Sequence, residues 1–179
     1  MVLRAHVPAG VLIVALALAA PGCTAPRAPS SVVLPNGVRG LPATVSHVTD
    51  GDTVDLRLTD GAVERARLLG IDTPETVKPN HPVECFGPEA SARTKELLPP
   101  GTEVVLQRDE EARDRFGRLL VYVWRRSDGR FINGDLVDTG HADTLSISPN
   151  TAHRSDLAAR RAAAQQAGVG QWASCPAGG

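Results

Sequence analysis

Aromatic side chains are scarce in this chain of 179 residues, of which Phe, Trp and Tyr together make up 3%. A surface that stacks nucleic-acid bases would therefore have to be small. An excess of positive charge is also missing, since 19 Lys and Arg residues face 20 Asp and Glu residues. No bulk positive field attracts polyanions, so any phosphate binding must come from a local arrangement of arginines and metal.

Histidine clusters and hydrophobic runs of membrane-spanning length are absent as well. The five histidines have no metal-ligand spacing, and we interpret them as structural or surface residues. The apolar run over residues 11–20 is ten residues long, which is too short to cross a bilayer. It follows Arg4 and has the length of a signal-peptide core, which predicts that the protein is exported.

Small residues end this apolar segment directly before Cys23. The arrangement favours a bacterial lipoprotein site, at which residues 1–22 are removed and Cys23 is acylated, although Ala20 stands where such sites prefer leucine. Ordinary signal-peptidase cleavage nearby is the alternative. In both cases we expect an exported protein, either secreted or anchored in the cell membrane through a lipid on Cys23.

The rest of the chain divides into a linker, one domain and a tail. Residues 23–40 are rich in Pro, Ala, Ser and Gly and lack periodicity, which is typical of a flexible linker. Residues 41–175 have the length of one domain with one core, and residues 176–179 form the tail. The sequence has no internal repeat, and nothing in it indicates more than a monomer.

The chain has three cysteines, which limits the disulfides it can form. If Cys23 carries a lipid, Cys85 and Cys175 remain as a pair, and an oxidising compartment favours a disulfide between them. Two free buried thiols are the alternative. A count of free thiols in the unreduced mature protein distinguishes the two states.

Alternation and turn residues predict short strands joined by tight turns, with helices between them. The runs 53–58 and 63–71 flank an Asp-Gly pair, which is a strong hairpin signal. Three further strands are expected at 43–47, 103–108 and 119–124, and three helices at about 88–98, 133–138 and 151–167. We therefore predict an α+β fold, a five-stranded OB-type β-barrel with three helices, although periodicity alone does not separate it from other small barrels.

Acidic residues converge at one end of the predicted hairpin. A turn centred on the Asp-Gly pair brings four carboxylates and one guanidinium together: Asp50, Asp52, Asp72, Glu75 and Arg67. Clustered carboxylates repel one another, and Asp52 shares the core-facing parity of its strand, where a lone charge is costly. A hard divalent cation is the natural partner, with calcium as the obvious candidate.

Four motifs occur in a fixed order: Asp50-Gly51-Asp52-Thr53-Val54, the run 67–75 (RLLGIDTPE), Phe86-Gly87-Pro88-Glu89-Ala90-Ser91 and Asp114-Arg115-Phe116-Gly117-Arg118. Taken singly, each is more often a turn or a solvated surface. Together they resemble the staphylococcal nuclease family over about residues 44–172. That family has an OB-type barrel with three helices, and its members cleave phosphodiester bonds in DNA and RNA using calcium.

The resemblance implies a calcium site made of oxygen atoms. Asp52 and Asp72 would supply carboxylate oxygens, Thr73 its backbone carbonyl, and water the remaining positions. Asp50 also matches the motif and is expected to lie behind these ligands.

The resemblance also implies three catalytic residues, Arg67, Glu75 and Arg118. Glu75 would orient or deprotonate the attacking water, and the two arginines would bind the scissile phosphate. The products would carry a 3′-phosphate and a free 5′-hydroxyl. A phosphodiester is anionic, so the site needs cations that keep their charge, and arginine supplies one with a fork that grips two oxygens.

One departure from the family concerns base binding. Secreted members carry tyrosines before a Pro-Asn pair, whereas residues 144–148, before Pro149-Asn150, contain no aromatic residue. We therefore expect weaker base stacking, and we expect single-stranded DNA or RNA to be favoured because it exposes its backbone.

The alternative function is a non-catalytic OB-fold module on the cell surface that binds nucleic acid or protein. A structural surface lipoprotein with a vestigial site is a third and weaker alternative.

Overall fold

A computed structural model of the protein describes residues 30–76 and 82–175. The predicted signal peptide, Cys23 and the predicted tail lie outside the described residues. The strands, in chain order, are β1 (Val32–Val33), β2 (Arg39–Asp50), β3 (Thr53–Leu58), β4 (Val63–Leu68), β5 (Gly70–Asp72), β6 (Glu103–Gln107), β7 (Leu119–Arg125) and β8 (Asp143–Leu145).

Five of these strands close into a barrel. The hydrogen-bonded order is β2–β3–β4–β7–β6, and β6 pairs back with β2. The β4–β7 pair is parallel, and the other pairs in the barrel are antiparallel. The closed five-stranded barrel confirms the predicted OB-type architecture.

Three helices surround the barrel, as predicted: α1 (Gly87–Leu97), α2 (Ile132–Asp138) and α3 (Arg154–Ala167). A single further turn, α4, covers Gln171–Ser174. Pro in the first turn of α1 and the acidic Glu89 suit a helix start. No helix in the described part of the chain combines the length and the apolar character needed to cross a membrane.

Alternating residues of the strands fill one core inside the barrel. Along β3, Val54 and Leu56 are fully buried, and Asp52 has the same parity and is 5% exposed. Helix α3 contributes mainly Leu157, which packs against β5 at Gly70. A Cβ at Gly70 would lie 2.4 Å from the Leu157 side chain, so only glycine permits this approach.

The β3–β4 hairpin differs by one residue from the predicted pairing. The Leu58 N–H donates to the Ala62 carbonyl (2.8 Å), which leaves three residues in the loop, the last of them a glycine with φ of 89°. A three-residue loop of this kind ends in a residue with positive φ. Val54 therefore pairs with Ala66, whereas a two-residue turn would have paired it with Arg67. The shift does not separate the strand ends at the open side of the hairpin, where Thr53 pairs with Arg67.

The predicted strand 63–71 is two strands in the structure. Gly70 has φ of 78°, and the chain leaves the barrel there to form β5, which pairs with β8. Strand β8 was not predicted, because three residues carry too little periodicity to be recognised.

Part of the predicted linker is ordered. Strand β1 pairs with the first residues of β2, and Leu34 between them is 5% exposed. The predicted domain boundary at residue 41 therefore falls inside β2.

Candidate active site

The end of the barrel brings together the β2–β3 turn, the last residues of β4 and the segment that follows β5. The turn is fixed by Thr94 of α1, whose hydroxyl donates to the Gly51 carbonyl (2.6 Å). A Cβ at Gly51 would lie 2.6 Å from the Thr73 hydroxyl oxygen. Glycine in the turn thus lets the two acidic segments approach each other closely.

Arg67 joins the two segments at the end of β4. Its Nη1 contacts Asp52, and its Nη2 donates to Asp72 Oδ1 (2.6 Å) and to the Ile71 carbonyl (3.1 Å). The Arg67 side chain is 16% exposed and the Asp72 side chain is 56% exposed. The structure therefore brings three of the predicted site residues into one ion-pair network.

Asp52 is the buried member of that network. Its Oδ1 accepts the Thr53 hydroxyl (3.0 Å), and its Oδ2 accepts the Thr73 N–H (3.1 Å). A buried carboxylate requires such donors and a cation, and Arg67 supplies the positive charge. The hydrogen bond from the Thr73 N–H to Asp52 also places Thr73 beside the carboxylates of Asp52 and Asp72.

Glu75 and Asp50 lie on the next part of this segment. Thr76 connects them, because its N–H donates to Glu75 Oε1 (3.0 Å) and its hydroxyl donates to Asp50 Oδ1 (2.6 Å). Asp50 is 6% exposed and also accepts the Gly51 N–H. Asp50 is therefore a buried residue that braces the segment that carries Glu75.

Arg118 immediately precedes β7, which runs parallel to β4. Asp114 holds it: Oδ2 accepts the Arg118 Nε–H (2.7 Å) and Oδ1 accepts its backbone N–H (2.9 Å). Partial burial raises the pKa of Asp114, but the hydrogen bonds and charge of Arg118, together with the hydrogen bond from the Phe116 N–H, outweigh it and leave that pKa below its ordinary value. The Asp114–Arg118 pair is thus charged at neutral pH.

The two arginines share one electrostatic environment. Burial lowers the pKa of Arg67, Asp72 raises it, and the nearby positive charge of Arg118 lowers it further. Arginine stays protonated despite such shifts. The end of the barrel therefore holds two permanent positive charges, each paired with at least one carboxylate of the chain.

The donor set suits a hard cation. Within residues 30–76 and 82–175, no group of three or more His, Cys, Asp or Glu side chains could hold a metal ion. A site here would consist of the Asp52 and Asp72 carboxylates with neutral oxygens, the pattern of oxygen ligands that calcium accepts. The Thr73 hydroxyl oxygen is buried and has no hydrogen-bond partner, which leaves one more unused oxygen beside the carboxylates.

Two residues at the site were not predicted from the sequence. Asp143 of β8 is the register partner of Asp72, so two carboxylates face each other across the strands. Like charges directly opposite destabilise a sheet, and here Arg161 neutralises Asp143 while Arg67 neutralises Asp72. The second residue is Glu84, whose carboxylate accepts the Glu75 N–H (2.9 Å).

Comparisons with known proteins agree with the resemblance. A family model for staphylococcal nuclease homologues matches residues 65–174. A thermonuclease from Staphylococcus intermedius is 40% identical over 135 residues, covering 75% of this chain and 78% of the relative. A thermonuclease from Staphylococcus hyicus is 37% identical over 130 residues, covering 73% and 75%. Endonuclease YncB from Bacillus subtilis is 39% identical over 110 residues, covering 60% of this chain and 50% of the relative. The chain therefore belongs to the staphylococcal nuclease family.

Proposed function

We propose that this protein is a calcium-dependent nuclease that hydrolyses phosphodiester bonds of DNA and RNA, acts as a monomer and favours single strands. One observation carries the proposal: two carboxylates and two guanidiniums meet at one end of the barrel, with Arg67 bound to Asp52 and Asp72 and with Arg118 close by. A single structural ion pair needs one carboxylate and one guanidinium, whereas this end of the barrel collects two of each.

Arg67 and Arg118 would bind the scissile phosphate. The charge on the phosphate grows as a nucleophile attacks, and fixed cations in a partly buried site stabilise that growing charge. The Nη groups of Arg118 make no hydrogen bond to the described residues, since Asp114 uses only its Nε and backbone N–H. This leaves the planar fork of Arg118 ready for two phosphate oxygens.

Glu75 would act on the attacking water. A carboxylate within hydrogen-bond reach of the water can accept its proton, which is worth about 10²–10⁴-fold in rate. Attack of the water on phosphorus from the face opposite the 5′-oxygen would form a new P–O bond and break the bond from phosphorus to the 5′-oxygen, which leaves a 3′-phosphate. Glu75 would pass the proton taken from water to solvent, and the departing 5′-oxygen would take up a proton from solvent to become the free 5′-hydroxyl, so the net change is the addition of one water.

Asp52, Asp72 and the Thr73 carbonyl would hold the calcium ion. When bound, calcium would neutralise phosphate charge and act as a Lewis acid. In the structure Arg67 neutralises the same two carboxylates. The negative charge of Asp52 is thus balanced within the folded chain even without an ion.

Digestion of denatured DNA and of RNA by the purified mature protein tests this function. We expect hydrolysis with calcium present, loss of hydrolysis on adding a calcium chelator, and new ends that a 3′-phosphatase converts to 3′-hydroxyls. Binding of nucleic acid without cleavage would contradict the proposal and favour the non-catalytic module.

Calcium is also expected to stabilise the folded protein. An ion that binds only the native state adds about 2.7 kcal/mol at 100 times its Kd. The wild-type melting temperature should therefore rise with calcium concentration, and Asp52→Asn should remove most of the rise. Asp60→Asn, the same change at an exposed loop position, is the matched control. An equal rise in all three proteins would contradict a calcium site at Asp52.

Phe116 is expected to bind the substrate strand. Its side chain is 69% exposed, and its ring lies 4.7 Å from the Arg115 guanidinium and 5.6 Å from that of Arg118. An exposed aromatic ring beside two cations is suited to stacking on a base. We expect Phe116→Ala to raise KM for single-stranded DNA by about tenfold with a smaller change in kcat. Steady-state kinetics check this, and Val63→Ala, an exposed apolar residue at the far end of the hairpin, should leave KM unchanged.

We also propose that the protein acts outside the cytoplasm. The structure contains the predicted disulfide between Cys85 and Cys175, and disulfides persist mainly in oxidising compartments. The intact mass of the mature protein separates a lipid-anchored form, with an acylated Cys23, from a secreted form without lipid.

A further inference from the structure

Glu75 lies outside any strand or helix, so regular hydrogen bonding does not fix its position. Glu84 binds both of its backbone polar groups instead. The Glu75 N–H donates to Glu84 Oε2 (2.9 Å), and the Glu84 N–H donates to the Glu75 carbonyl (2.9 Å). Both bonds have ideal length, and together they define where the Glu75 backbone lies.

The start of α1 packs directly against the same backbone. The Glu84 carbonyl accepts the N–H of Gly87, the first residue of α1 (3.0 Å). A Cβ at Gly87 would lie 3.0 Å from the Glu75 carbonyl oxygen and 2.8 Å from the methyl carbon of Thr76. Residue 87 must therefore be small for the helix to support Glu75 this closely.

A disulfide anchors this support from the other side. Cys85, next to Glu84, is bonded to Cys175, 90 residues later in the chain and directly after α4. Phe86, the following residue, has φ of 68°, a conformation that non-glycine residues adopt only when their surroundings impose it. The ring of Phe86 packs 5.1 Å from that of His141. The covalent bond and the ring contact together hold the short segment that carries Glu84.

We propose that Glu84 is a positioning residue for Glu75, and that the Cys85–Cys175 disulfide keeps Glu84 in place. This inference rests on the proposed function, in which Glu75 acts on the attacking water. Glu84 touches neither the water nor the phosphate in this scheme. It fixes the backbone from which the Glu75 carboxylate extends, and small displacements of a catalytic group lower the rate strongly.

Three variants of the mature protein test the role of Glu84. Glu84→Ala removes the acceptor for the Glu75 N–H, and we expect kcat to fall by about tenfold with KM unchanged. Glu84→Gln keeps a carbonyl oxygen at the same position and should restore most of kcat. Glu89→Ala removes an exposed carboxylate from the first turn of α1 and should leave kcat unchanged. A general loss of folding would instead lower the melting temperature of Glu84→Ala, which is measured beside kcat.

The double variant Cys85→Ser/Cys175→Ser tests the anchor. Assayed well below its melting temperature, it should lose kcat by a similar factor. Addition of Glu84→Ala to it should lower kcat little further, because both changes release the same group. If the two losses multiply, the disulfide does not act through Glu84 and the second half of the proposal is wrong.

The failure of this inference is distinguishable from the failure of the proposed function. If Glu75→Gln is inactive but Glu84→Ala retains wild-type kcat, positioning by Glu84 is refuted and the nuclease assignment stands. If Glu75→Gln retains wild-type kcat, the role of Glu75 on the attacking water fails and the positioning role of Glu84 fails with it. The nuclease assignment itself fails only if the wild-type protein binds nucleic acid without cleaving it.

Discussion

Replacement of Arg118 by alanine is expected to lower kcat by about 10²–10³-fold, the usual effect of removing one donor that stabilises transition-state charge. The side chain is preorganised for this role. Asp114 fixes the guanidinium through Nε (2.7 Å) and fixes the backbone N–H as well (2.9 Å). Steady-state kinetics on single-stranded DNA with saturating calcium measure the loss.

Two further arginine variants control for charge and geometry. Arg118→Lys keeps the positive charge but loses the planar fork, so we expect it to recover only part of the lost rate. Arg126→Ala removes an exposed arginine that pairs with Glu103 away from the site, and it should leave kcat unchanged. Wild-type turnover in Arg118→Ala would contradict the role of this residue in phosphate binding.

Replacement of Arg67 is a less direct test of phosphate binding than replacement of Arg118. Both of its terminal nitrogens already bind carboxylates, and one of these belongs to the buried Asp52. Arg67→Ala would leave that carboxylate without a cation, and removing one partner of a buried pair costs about 3–5 kcal/mol of stability. Loss of activity in this variant would therefore combine unfolding with lost catalysis, whereas Arg118 is partly exposed and separates the two effects.

The barrel was predictable because its strands have clear local signals. Alternating apolar residues define β3 and β4, and the Asp-Gly pair marks the turn between them. Proline and an acidic residue mark the start of α1, prolines mark its end, and a glycine marks the end of α3. The start of α3 was predicted at residue 151 and lies at Arg154. These signals depend only on residues that are neighbours in the chain, so a single sequence is enough to recognise them.

The parts that were not predicted depend on contacts between distant residues. Strand β8 exists because β5 leaves the barrel and offers it a partner, and neither strand is long enough to show a period. The hairpin register depends on whether the turn has two or three residues, and an Asp-Gly pair is compatible with both. Glu84 has no motif of its own, and its contact with Glu75 appears only in three dimensions.

Sequence reasoning predicted only part of the site, because some of its contacts also join residues that are distant in the chain. Spacing along the hairpin placed Asp52, Arg67 and Asp72 together, and the structure joins them in one ion-pair network. Sequence reasoning did not show that the arginine binds both carboxylates, since a charge on a strand can face several partners. Their roles as metal ligands and phosphate binder stay proposals that the variants above test.

Replacement of Glu75 by glutamine is expected to lower kcat by about 10²–10⁴-fold, the range for loss of a general base. The amide has the size of the carboxylate and can still accept the Thr76 N–H that now binds Glu75 Oε1 (3.0 Å). The hydrogen bonds of the Glu75 backbone to Glu84 involve no side-chain atom of residue 75. The fold should therefore be unchanged, and equal melting temperatures of the two proteins would verify it.

The pH dependence of the residual activity makes this test specific. If Glu75 takes the proton of the attacking water, wild-type kcat must fall towards low pH as the base becomes protonated, and hydroxide must restore activity to Glu75→Gln as pH rises. The variant should thus lose the acid limb of the profile and gain rate steadily with pH. A variant with reduced kcat but the wild-type profile would assign Glu75 to orienting the water, because orientation does not require a group that titrates. The two roles that the family resemblance leaves open for Glu75 are separated in this way by a single pair of pH–rate curves.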